Sequence, residues 1–350
     1  MQLGEHRRNL MILVNARIRE FRCIEDSGDI SLKSITCLVG KNESGKTAIL
    51  QALHILKPID ENTYRFEPSR DYPKRKWLPN TPIPNDPPTV YTEWSLDQKE
   101  RETLEKQFGV GTISSQTIKI SKGFDNKRKY EISINEALLV KHLISQFNLT
   151  PDEKKDLTNA KTLDALRMNL SVIEKRTETQ VKLFQNIISA FKEGAAKTVE
   201  QTIDKMLPTF LYFDQYLRLP GKVQVEQLLE RKNHNSLTER DNIFLALLSL
   251  AGTTLESIHT AKTFEEFNSS LRAISNHISD QIFDYWSQNK HLDVELRLDP
   301  ARASDVAPYN AGNIFRTRIN NRRHRADTDF DERSSGFVWF FSFLIWFNSL

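Results

Sequence analysis

One octapeptide constrains this chain more than any other feature. Residues 40–47 read Gly-Lys-Asn-Glu-Ser-Gly-Lys-Thr, a complete G-x-x-x-x-G-K-[ST] match. The apolar run Ile35-Thr36-Cys37-Leu38-Val39 leads into it, and Ile49, Leu53 and Leu56 recur on one helical face after it. The run predicts a strand buried on both faces, and the periodicity predicts a helix from about Lys46. In that setting the two glycines allow backbone angles that a side chain forbids, and the loop turns its N–H groups inward as an anion nest. The helix N-terminus adds the positive end of its dipole. Lys46 then reaches the β- and γ-phosphates, and the Thr47 hydroxyl ligates Mg²⁺. The candidate contacts are Gly40, Lys41, Asn42, Glu43, Ser44, Gly45, Lys46 and Thr47, and the candidate cofactors are ATP and Mg²⁺.

The rest of the chain gives an order of β-rich, helical, β-rich and helical segments. Strands are predicted over 10–39, over Thr89-Val90-Tyr91-Thr92-Glu93-Trp94-Ser95-Leu96 and in a hairpin around Gly123. Val90, Thr92, Trp94 and Leu96 share one strand face. Prolines 79, 82, 84, 87 and 88 exclude a helix or central strand there and predict a long surface loop. The pattern is helical and charged from 135 to 206, with Pro151 starting a new helix. Residues 207–216 are a strand candidate, 223–288 read as helices, and strands are predicted near 291–299 and 313–320. The last stretch, residues 337–350, is rich in aromatic residues and falls short of the roughly 20 residues that span a bilayer. It predicts a buried helix. The expected organisation is an α/β lobe over 1–136, a helical insertion over 137–206 and a helical and β segment over 207–350.

Composition narrows the partners. A net charge of +3 over 350 residues leaves no global basic footprint for nucleic acid. Two cysteines, Cys23 and Cys37, exclude a disulfide framework and a cysteine-rich zinc site, and a reducing cytoplasm is the expected setting. No segment predicts membrane insertion. Local basic clusters remain: Arg316, Arg318, Arg322, Arg323 and Arg325 in one hairpin-like segment, and Lys74, Arg75 and Lys76 beside Trp77. Either could meet phosphates of DNA, but charge alone favours a solvated, charge-protected edge strand.

The segment from Val14 to Leu53 resembles the N-terminal part of the ABC-type ATPases of the RecF, SMC and OLD kind. Its strand, its Phe21-Arg22 pair, its second strand, and Asn42 and Ser44 in the loop carry the resemblance. Asp71-Tyr72-Pro73 and the Phe-rich C-terminus look most like the OLD-type members, many of which serve in phage defence or DNA repair. The resemblance implies an ABC-ATPase head with a P-loop, a β-rich lobe and a helical insertion. It implies that Arg22 approaches the nucleotide, although the residue alone reads equally well as a solvated surface arginine. It makes Gln215 the candidate Q-loop residue at the nucleotide and at Mg²⁺. Arg333-Ser334-Ser335-Gly336-Phe337 resembles the signature motif, so Ser334 and Gly336 would contact the γ-phosphate held by a second subunit. Without the resemblance, Ser334 reads as an ordinary helix cap.

In that family an apolar strand ending in Asp-Glu, the Walker B motif, follows the signature helix. No such strand follows here, and a head cut before Walker B is the expectation. Two partners are then possible: a second copy, with ATP sandwiched between heads, or another chain that supplies Walker B. The first alternative is a non-hydrolysing nucleotide-binding scaffold. The second is an unrelated P-loop enzyme with Asp214 as the Walker B acid, which requires residues 210–214 to lie beside residues 35–39.

Overall fold

The computed structural model describes residues 11–348 apart from 79–80, 84–86, 156, 214–216, 251, 260–267, 269–270, 273, 277, 281–288, 290 and 303. By contacts the chain divides into two compact units, residues 1–212 and 213–350.

The first unit is built on an antiparallel sheet. Strand β1 (Ile12–Phe21) carries the short β2 (Ile24–Asp26) and β3 (Ile30–Ser31) on one edge and β4 (Val90–Ser95) on the other. Strands β5 (Thr117–Lys122) and β6 (Arg128–Glu131) continue the sheet as the expected hairpin. The alternation in β4 works as read: Val90, Thr92, Trp94 and Leu96 are all buried. Thr92 is tolerated because its hydroxyl accepts from the Trp94 indole at 2.8 Å and donates to the Ile120 carbonyl at 2.7 Å. Helix α1 (Lys46–Leu56) packs its apolar face on this sheet, burying Ala52, Leu53 and Leu56. The proline-rich stretch is preceded by one short turn of helix, α2 (Pro68–Asp71), with Pro68 at its first position.

Helix α3 (Gln98–Phe108) starts on a reciprocal Asp97–Glu100 capping box. Helices α4 (Glu136–Ser145), α5 (Pro151–Lys155), α6 (Leu163–Val172), α7 (Glu178–Ala190) and α8 (Ala195–Met206) follow. Asn135, Thr162 and Thr177 cap three of them, each accepting the backbone N–H of the third residue along. These helices join the same hydrophobic core as the sheet, through Leu139, Leu166, Leu183, Val199 and Ile203.

In the second unit, β9 (Asn313–Asn321) is the centre of a four-stranded antiparallel sheet. It pairs β8 (Leu292–Pro300) along its whole length, and β7 (Lys222–Gln224) and β10 (Ala326–Asp329) over its two halves. Helices α9 (Val225–Asn233), α10 (Glu239–Leu250), α11 (Leu255–His259) and α12 (Ser335–Asn348) are the other main elements described there.

Three expectations need correction. Residues 35–39 form no strand, and Ile35 and Val39 are each 89% exposed. A continuous apolar run becomes a buried strand only where neighbouring strands satisfy its backbone. Among the described residues none pairs with it. Residues 207–213 form no strand either; Phe210 makes a single parallel bridge to Pro58. Helix α12 is buried fully on one stripe only: Phe337, Val338, Phe341, Ser342 and Ile345 are buried, Trp339, Phe343, Leu344 and Trp346 are half-buried, and Phe347 is exposed. Ser342 belongs to the covered face because its hydroxyl accepts the Leu219 N–H at 2.7 Å and donates to the Val338 carbonyl.

Candidate phosphate-binding site

In the loop before α1, one of the two glycines takes the backbone angle that a side chain resists. Gly45 is the N-cap residue of α1 and sits at φ 92°, and Glu43 reaches φ 64°. A Cβ on Gly45 would stand 3.2 Å from Ile24 Cγ1 and 3.5 Å from Cys23 Sγ. The turn that joins β1 to β2 is therefore the seat of the loop. At Gly40 a Cβ would fall 2.9 Å from Ser44 Oγ, so a side chain there would force the Ser44 hydroxyl aside.

Lys46 folds back over the loop. Its ammonium donates to the Gly40 carbonyl at 2.8 Å and the Lys41 carbonyl at 2.6 Å. The charge is thus held at the mouth of the loop, above the helix N-terminus, and the first turn of α1 has no acidic residue to oppose an anion. Thr47 is exposed at the same end. A lysine, a free helix terminus and an accessible hydroxyl are the donor set that a magnesium-bound triphosphate needs. Thr47 would hold the metal, whose chemistry is to neutralise charge on the phosphates. Gln215 and Asp214 lie outside the described residues. Among the described residues no trio of His, Cys, Asp or Glu is grouped to hold a metal ion.

Arg22 is half-buried and held on both sides. It takes φ 53°, and its guanidinium donates to Asp71 at 3.0 Å and to Gln51 on α1. Asp71 is fully buried and also receives Arg70 and the Glu67 N–H. Burial alone would raise the Asp71 carboxyl, but the hydrogen bonds from Arg70, Glu67 and Arg22 outweigh it and hold it below the usual carboxylate range. The Phe21-Arg22 pair and the Asp-Tyr-Pro segment are thus parts of one clamp on the flank of α1.

The far end of α1 carries a second cluster, which sequence reasoning missed. Lys122 is 1% exposed and donates to the Ile55 carbonyl at 2.8 Å. Arg128 donates to the Leu56 carbonyl and to Asp204 of α8 at 2.8 Å, and pairs with Glu61 at 2.7 Å. Tyr130 donates to Asp204 as well, and Lys57 caps α8 through the Asp204 and Leu207 carbonyls. The signal was legible: period two places Lys122 on the core face with Ile118 and Ile120.

In the second unit, Ser334 is a helix cap. Its carbonyl accepts the Val338 N–H at 3.1 Å, and its hydroxyl accepts the Phe337 N–H at 3.4 Å. Gly336 is exposed, and a Cβ there would meet nothing within 4 Å. The arginine-rich hairpin is largely neutralised. Arg316 pairs with Asp305, Arg318 with Asp327 and Arg322 with Asp293. Lys76 likewise pairs with Glu20. The expected edge strand is not what the structure holds, because β9, which carries Arg316 and Arg318, is paired on both sides at the centre of its sheet. Phe210 donates its N–H to the Lys57 carbonyl at 2.8 Å, and the pairing beside residues 35–39 that an Asp214 acid requires does not occur among the described residues.

No described helix is long and apolar enough to cross a membrane. None of the curated proteins compared with the chain matches it. A family model described as an AAA ATPase domain matches residues 11–336.

Proposed function

This chain belongs to the AAA ATPase domain family, and on that premise we propose that residues 40–47 hold the triphosphate of ATP with Mg²⁺. The observation that carries the assignment is the placement of Lys46, whose ammonium is held over the loop at the N-terminus of α1. The loop amides and the dipole would bind the phosphates, Lys46 would neutralise their charge, and the Thr47 hydroxyl would help hold the metal. Lys46→Ala should weaken binding of a fluorescent ATP analogue in Mg²⁺ by at least about tenfold, as expected for loss of a direct charge-assisted contact worth about 1.5–3 kcal/mol. Equal affinities for the two forms would sink the assignment.

The finer reading is a head of the RecF, SMC and OLD kind, with residues 1–136 as ATPase lobe, 137–206 as a helical insertion and 207–350 carrying the signature-like helix. ATP then joins two copies, with Ser334 and Gly336 of one facing the γ-phosphate held by the other. A helix N-terminus with no acid in its first turn, and the absence of any described atom within 4 Å of a Cβ placed on Gly336, support this. DNA-directed work in defence or repair, in the cytoplasm, rests on the resemblance of the loop and its flanks.

A further inference from the structure

We propose that Lys122 is a positioning residue for nucleotide binding: it fixes the C-terminal turn of the helix whose N-terminus carries the phosphate loop. The inference rests on the nucleotide reading of residues 40–47. A helix of eleven residues is a rod about 16 Å long, so holding one end sets the direction of the other. At its front, α1 is seated by Gly45 against Cys23 and Ile24. At its back, the last turn presents carbonyls with no helical partner. Lys122 takes the Ile55 carbonyl and Arg128 takes the Leu56 carbonyl, two cations at the negative end of the dipole. Arg128 is tied in turn to Asp204, so the back of α1 is joined to the end of α8.

Lys122 differs from Arg128 in having no carboxylate hydrogen-bonded to it among the described residues and in being sealed from water. Burial pushes its ammonium down to about 8. Glu61 and Asp125 favour the charge and Arg128 opposes it; beyond Arg128 stand Lys57, Tyr130 and Asp204. The charge strains the fold while it holds the helix. Between pH 8 and the ordinary lysine value of about 10.4, the unfolded chain binds more protons than the folded one at this site, so stability rises with pH. Over the same step the charge-assisted cap on Ile55 is lost, and the phosphate loop loses its fixed backing. A residue that is merely structural would move stability and affinity in the same direction. A positioning residue moves them apart.

The test uses the whole chain, a fluorescent ATP analogue with Mg²⁺, and thermal unfolding, both followed from about pH 7 to pH 9, either side of the Lys122 value. Wild type should lose about fivefold in affinity across pH 8, a size typical of a charge at a helix terminus, while its unfolding temperature gains. Lys122→Met keeps the length without the charge. It should bind about fivefold more weakly than wild type at neutral pH and show neither step. Binding that depends on Lys46 but stays flat across this range, or a Lys122→Met variant that keeps the wild-type step, overturns the positioning role alone. A wild type with no Lys46-dependent binding at any pH overturns the nucleotide reading and this inference with it.

Discussion

A buried carboxylate is expensive unless it is paired, and Asp71 is paired three times over. Arg22 and Arg70 each keep part of their surface in water, so the aspartate, not the arginines, is the group that depends on the clamp. Asp71→Asn keeps the shape and removes the charge that Arg22 and Arg70 share, leaving Arg70, among the described carboxylates, only its longer contact with Glu67 at 3.6 Å. A loss of about 1–3 kcal/mol in urea unfolding is expected, and a loss under about 0.5 kcal/mol would remove the clamp from the argument. The pH dependence has a definite sign. The folded carboxyl is held below its ordinary value, so its contribution is complete at neutral pH and fades as pH falls through and below the usual carboxylate range. Asp71→Asn should flatten that part of the acid-unfolding curve.

Among the elements, α1 and the segment that feeds it behave differently. The helix forms where the periodicity placed it, because its apolar face meets β1 and β4. The run before it is apolar enough for a central strand, yet Ile35 and Val39 stand in solvent. Ile35→Ser should therefore change stability by no more than about 0.5 kcal/mol, the usual range for a surface substitution. A buried strand position would lose about 2–5 kcal/mol for a comparable truncation. Chemical denaturation of the two forms separates these outcomes, and a loss above about 2 kcal/mol would return Ile35 to a packed strand. Helix α12 gives the complementary lesson. Its stacked row Trp339, Phe343 and Phe347 recurs every four residues; the first two are half-buried against Phe213, the third is exposed, and the fully buried residues lie on the neighbouring stripe.

At the scale of the whole molecule, two units each close their own core, one around β1, β4 and β5 and one around β8 and β9. The phosphate loop belongs to the first, and Ser334 and Gly336 to the second. The proposed pairing of two copies through ATP makes Gly336 the position to change. A Cβ at Gly336 meets nothing within 4 Å among the described residues and the position is exposed, so Gly336→Glu should keep the fold, while a carboxylate at that helix terminus would repel the γ-phosphate. Sedimentation of the chain with Mg²⁺ and a non-hydrolysable ATP analogue should show dimers for wild type and fewer for the variant. A wild type that stays monomeric, or a variant that pairs equally well, leaves Ser334 as a helix cap and nothing more.

The octapeptide, the helix after it, the β4 alternation, the hairpin and the capped helices were legible from sequence because each depends on contacts a few residues apart. Gly45 is required locally by a left-handed turn, and Lys46 follows it by covalent connection. Tertiary structure alone decided which apolar runs found partners. Residues 35–39 and 337–348 are as hydrophobic as core segments, but burial depends on what the rest of the chain brings alongside. It also decided where charges went. Arg22 meets Asp71 across 49 positions, Lys122 meets Ile55 across 67, and Arg128 meets Asp204 across 76. No local pattern specifies such pairings, because their energy arises only when folding removes both partners from water together.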